Sequence, residues 1–179
     1  MRTVGMNNWK IVIAAAMALG LASCSKPQSV TDLKAAITSL RAAGQQDRLS
    51  EDRYHGLLAD ARDRFAIAKA QLSADASTAC GQALDRAGDV EQVWTETDGI
   101  EDGLTPMVEA PLKRLGVVKG DADFAKRANY FIPLQESPDD DTPQESAAKE
   151  QARDLARHDL IKEALDADDP LLMKAEAAF

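Results

Sequence analysis

The only thiols and imidazoles in this sequence are Cys24, Cys80, His55 and His158. Cysteine catalysis needs one of each within hydrogen-bond reach, so that the base can take the thiol proton. The two histidines lie about a hundred residues apart, and neither belongs to H-E-x-x-H, the spacing that sets two zinc ligands on one helical face. The patterns G-x-S-x-G, G-x-G-x-x-G and G-x-x-x-x-G-K-[ST] are absent, and one thiol besides Cys24 cannot make C-x-x-C. The acidic stretches TDGIEDG (97–103) and PDDDTPQE (138–145) offer oxygens to a hard cation, but neither has the D-x-[DN]-x-[DN]-G-x₅-E order of a calcium loop. Met107 and Met173 pair with no histidine at a haem-ligand spacing, which makes them core or contact residues. No cofactor, no metal and no catalytic residue is expected.

Cys80 stands between Ala76 and Ala83 in a helical apolar stripe, where a free cysteine acts as a small buried hydrophobe. A reactive thiol or an intermolecular disulfide are the other readings of the same position. His158, beside Leu155 and Ile161, has Asp154 one helical turn earlier and reads as a boundary histidine steadied by that carboxylate. His55, next to Gly56, reads as solvent-facing.

Cys24 has a different context. The apolar run Ile11–Ala22 spans 12 residues and ends in Ser23, Cys24, Ser25 and Lys26. A membrane-crossing helix needs roughly 20. Arg2 and Lys10 precede the run and small residues follow it, the layout of a secretory signal. Met6 is a second candidate start, which would leave Lys10 as the sole charge ahead of the run. The tetrapeptide Leu21-Ala22-Ser23-Cys24 resembles the lipobox of bacterial lipoproteins: a branched apolar residue, two small residues and the obligatory cysteine. The resemblance covers about the first 25 residues. It implies that Cys24 receives a diacylglyceryl group on sulfur, that cleavage falls before Cys24, and that the new terminus is acylated, with palmitate-like chains as the membrane anchor. Each buried CH₂ contributes about 0.8 kcal/mol, so one chain binds marginally and several hold firmly. Ser25 rather than Asp after the cysteine favours the outer membrane over the inner.

Cleavage there removes two basic and no acidic residues, leaving nineteen Lys and Arg against thirty Asp and Glu, a net charge of −11. Nucleic-acid binding is excluded as a class, because phosphate neutralisation needs clustered cations. Anionic lipid headgroups are disfavoured for the same reason. Residues 24–179 are enough for one domain with a core.

The elements that would position these side chains are helical throughout. Aromatics are few, Ala is abundant and β-branched runs are missing, which leaves strands little to build on. Val30, Leu33, Ile37 and Leu40 mark a first helix, with Ser29 or Thr31 as N-cap and Gly44 as C-cap. Ser50 caps a second, with the stripe Tyr54, Leu58, Ala61, Phe65, Ala68 and Leu72 and an Asp60–Arg64 pair on its wet face. A third, about Ala74 to Thr95, shows Ala76, Cys80, Ala83, Ala87, Val90 and Trp94, and is weakened at Gly81 and Gly88 by about 1 kcal/mol each. Thr105-Pro106 opens a fourth that ends at Gly116, with Pro111 expected to kink or restart it. Asp121 caps a fifth with Phe124, Ala128 and Phe131, stopped by Pro133.

After the acidic loop LQESPDDD (134–141), Thr142-Pro143-Gln144-Glu145 fits a capping box. The sixth helix should run from Pro143 to about Ala167 and bury Ala148, Ala152, Leu155, Ile161 and Leu165. Asp169-Pro170 should start a separate short helix, Leu171 to Phe179. The expected organisation is a signal peptide (1–23), a lipidated tether (24–29) and one all-α antiparallel bundle of six or seven helices (30–179). The expected activity is non-enzymatic binding by an envelope lipoprotein anchored through the lipid on Cys24. Its partner would be another protein: a complex that it joins as subunit or adaptor, or a toxin that it neutralises. The alternatives are an envelope hydrolase using Cys80 and a helical carrier of an apolar ligand.

Overall fold

The computed structural model describes residues 26–98, 104, 106–131 and 142–179. Leu21, Ala22, Ser23 and Cys24, positions 99–103 of the first acidic loop and all of 134–141 lie outside the described residues.

Among the described residues there are six α-helices and no strand. Helix α1 is Gln28–Gly44, α2 is Glu51–Ala68 and α3 is Ala74–Asp98, with one 3-10 turn, Lys69–Gln71, between α2 and α3. Helices α4, α5 and α6 are Pro106–Leu115, Asp121–Phe131 and Pro143–Ala177. The cross-helix bonds give the directions. Ser29 meets Gln71 and Asp32 meets Arg64, so α1 and α2 run antiparallel. Glu51 meets Thr95 while Arg62 meets Glu91, so α2 and α3 do too. Thr38 and Arg41 reach Glu176 and Asp169, which sets α6 antiparallel to α1. Helices α1, α2, α3 and α6 therefore close an up-down-up-down four-helix bundle, with α4 packed on α3.

The stripes of the first three helices fold inward as their spacing demands. Leu33, Ile37, Leu40 and Leu58 are fully buried, each worth about 1.5–3 kcal/mol over leaving it exposed. Tyr54 packs 5.7 Å from the Trp94 ring and its hydroxyl donates to the Ala87 carbonyl at 3.3 Å. The α3 face is small, with Ala76, Ala79, Cys80, Ala83 and Ala87 buried, so three helices can approach it closely. Gly88 has a use: a Cβ there would sit 2.4 Å from the Arg62 guanidinium, which crosses α3 at this point to reach Glu91.

Several element ends differ from expectation. The N-cap of α1 is Pro27, whose carbonyl accepts from Val30 N and Thr31 N, and Ser29 bonds Gln71 instead of capping. Helix α4 runs unbroken through Pro111, because the ring itself is buried against the core and packing compensates the lost donor. It ends in a Schellman turn at Gly116, φ 78°, with Gly116 N on Lys113 O and Val117 N on Leu112 O. Asp121 is the first helical residue of α5; the carbonyl of Gly120 before it takes Asp123 N and Phe124 N.

The largest correction concerns α6. Its capping box is as expected, Thr142 Oγ1 accepting from Glu145 N at 3.3 Å and Glu145 Oε2 from Thr142 N at 2.9 Å. The helix then continues for 35 residues, through Pro170, with no separate C-terminal helix. Pro170 withholds the N–H that the Asp166 carbonyl would accept, but Ala164 and Asp168 before it and Leu172 and Ala175 after it are all buried, so packing on both sides holds the helix together. The buried face starts only at Leu160; Ala148 is exposed, Ala152 half-buried and Leu155 58% exposed.

Candidate functional site

Cys80 is completely buried in α3, and burial pushes its thiol up to about 11. Neither imidazole serves it. The Nδ1 of His55, on exposed α2 surface, contacts the Glu91 carboxylate, whose other oxygen takes Arg62 at 3.1 Å. The Nδ1 of His158 lies 3.8 Å from Asp159, not the expected Asp154, and the ring is exposed on α6. The thiol and the imidazoles therefore do not form a catalytic pair. Met107 and Met173 are both more than half exposed and so lie outside the core. Among the described residues no three carboxylate, imidazole or thiol groups converge as a metal site.

Two places in the described structure could act on another molecule. The first is an open groove of about 460 Å³ between α5 and the N-terminal half of α6, lined by Arg127, Ala152, Leu155, Ala156, Leu160 and Glu163. Arg127 spans it to Glu163 at 2.8 Å. Residues 143–159 contribute no fully buried residue, although Ala156 is partly buried against the core.

The second was not foreseen from the sequence. Asp168, on α6, is 1% exposed, and neither carboxylate oxygen has a hydrogen-bond partner. It lines a cavity of about 150 Å³ with Leu40, Arg41, Tyr54, Leu165 and Leu172. The mouth is bridged by Arg41, whose Nε donates to Asp169 Oδ1 at 2.9 Å and Nη1 to Glu176 Oε2 at 3.1 Å. Gln45 Nε2 adds a bond to the same Asp169 oxygen at 3.1 Å.

Burial pushes the Asp168 carboxyl up to about 7; Arg86 pulls it back in part, while Asp169 and Asp89 push further upward. Burial also holds the neighbouring Tyr54 hydroxyl well above its ordinary value. The nearby cations are committed elsewhere. Arg86 caps the C-terminus of α4, bonding the Arg114 carbonyl and, at 2.9 Å, the Leu115 carbonyl, which leaves its Nε without a partner. Arg114 in turn holds Asp89 at 2.6 Å. A signal for Asp168 does exist in the sequence: the spacing Ile161, Ala164, Asp168, Leu172, Ala175 places a carboxylate in register with an apolar stripe. Ending the helix before Pro170 conceals that register.

No protein-family model, curated protein or solved structure matches this chain.

No helix among the described residues is long and apolar enough to cross a membrane.

Proposed function

We propose that the protein is a bacterial envelope lipoprotein, anchored through lipid on Cys24 at the periplasmic face of the outer membrane, that works without catalysis by binding another protein. The observation that carries the binding part is the exposed first half of α6: Leu155 stands open beside a groove that α5 only partly covers. An exposed helix beside a groove that mixes leucine and alanine with Arg127, Asp159 and Glu163 offers another protein both apolar and charged contacts. The lipobox-like Leu21-Ala22-Ser23-Cys24 carries the anchoring part. A net charge of −11 after cleavage suits a partner with a basic face, because opposite charge accelerates encounter.

The thiol-hydrolase reading has less support, since a buried thiol raised to about 11 is almost wholly protonated at neutral pH. A carrier of an apolar ligand needs a cavity of roughly 300–1,000 Å³; the space beside Asp168 is about 150 Å³, and the groove of about 460 Å³ between α5 and α6 is open and carries Arg127, Asp159 and Glu163. The test is affinity capture of the lipidated protein from its own envelope. A partner should enrich over an unrelated lipoprotein and be lost with Leu155→Asp, and Cys24→Ala should release the protein from membranes. Enrichment that is absent, or unchanged by Leu155→Asp, counts against the binding reading; unchanged membrane fractionation of the Cys24→Ala protein counts against the anchor.

A further inference from the structure

A buried carboxylate is normally paired or hydrogen-bonded, because an unpartnered charge loses its hydration with nothing in return. Asp168 departs from that rule at the edge of a partly open cavity, with neither oxygen hydrogen-bonded. The groups that face it are settled. From α1, Arg41 is held by Asp169 and Glu176. From α2, the Tyr54 hydroxyl donates to the Ala87 carbonyl. From α3, Arg86 is tied to the end of α4, and Asp89 is tied to Arg114. From α6, Asp166 and Asp169 add negative charge. Among the described residues, then, no cation makes a hydrogen bond to Asp168, and Arg86 acts on it through its charge alone.

We propose that this cavity is a binding site for a small organic ammonium ion of two to four carbons, its N–H donors taken by the Asp168 carboxylate and its methylenes by Leu40, Leu165 and Leu172. Size sets the limit: about 150 Å³ is room for roughly five waters at about 30 Å³ each. The carboxylates of Asp166, Asp168 and Asp169 disfavour an anion, and the leucine walls disfavour a bare metal ion, which needs several oxygens. The ammonium takes the place of a proton on Asp168, so affinity follows the ionised fraction. With a midpoint at about 7, binding is about tenfold tighter at pH 8 than at pH 6.

The experiment is a titration of the purified full chain with n-propylammonium chloride, followed by the methyl resonances of Leu40, Leu165 and Leu172. The expected result is a saturable shift confined to those methyls, about tenfold tighter at pH 8 than at pH 6, and lost in Asp168→Asn. The wild-type pH dependence and the controls keep the test decisive if that variant does not fold. Absence of a saturable shift, equal affinity at both pH values, or equal response to 1-propanol or to sodium chloride overturns the proposal. Tighter binding of Nα-acetyl-lysine methylamide than of n-propylammonium also overturns it as stated, because the site would then read a protein lysine rather than a free amine.

Discussion

Stability should fall as pH rises from 5 to 8, against the usual behaviour of a protein rich in carboxylates. Asp168 titrates at about 7 in the folded chain against an ordinary 3.8, so between those values the folded state binds more protons than the unfolded one. Under linkage, stability then decreases with rising pH through that window and is fully retained only below it. The whole shift corresponds to about 4 kcal/mol, of which about 3 kcal/mol falls between pH 5 and pH 8. The carboxylates held low, Glu176 by Thr38 and Arg41 and Asp121 by Lys113, act in the opposite sense and at lower pH, as protonation breaks those contacts. Among the described carboxylates with a shifted proton affinity, that leaves the window above pH 5 to Asp168. Urea unfolding followed by far-ultraviolet circular dichroism at several pH values in that range measures the slope. Asp168→Asn, neutral at every pH, should flatten it and be more stable than wild type at pH 8. A flat or rising wild-type profile, or an Asn variant that is less stable at pH 8 with an unchanged slope, would refute the reasoning that an unpartnered buried charge dominates this window.

Pro170→Ala restores a donor for the Asp166 carbonyl in the middle of α6 and should stabilise the protein by about 1–3 kcal/mol, read as a higher urea midpoint with unchanged slope. Gly56→Ala, at an exposed mid-helix site with nothing within 4 Å of the added Cβ, should add about 0.5–1 kcal/mol, seen as a rise of a few degrees in Tm. Thr142→Ala removes the capping box of α6 and should cost about 1 kcal/mol, expressed as faster amide exchange in the first turns of that helix. Cys80 should react with a thiol reagent only after unfolding, so a fast reaction in the native protein would contradict its burial.

The helical class, the stripes of α1 to α3, the Ser50 cap and the Thr142 capping box were legible because each rests on residues within four or five positions of one another. The errors share one cause. Pro111 and Pro170 were read as breaks from their missing N–H, a local fact, whereas burial of the surrounding turns by other helices decides whether the chain continues. Leu155 and Ala148 have core periodicity but stay exposed, Leu155 at the edge of the groove beside α5. Helix-terminal carbonyls of α4 recruited Arg86 across the fold, a pairing that no spacing rule in the sequence encodes.

The sequence by itself therefore determined the kind of element, the apolar faces and the cysteine context that suggests an anchor, since periodicity and short motifs are properties of neighbouring residues. Only the tertiary structure decided that Cys80 is sealed, that the first half of α6 stays exposed, and that Asp168 sits without a hydrogen-bond partner beside a cavity. Burial, and the proton affinity that follows from it, is a sum over atoms brought together from distant parts of the chain, and no local stretch of residues contains that sum.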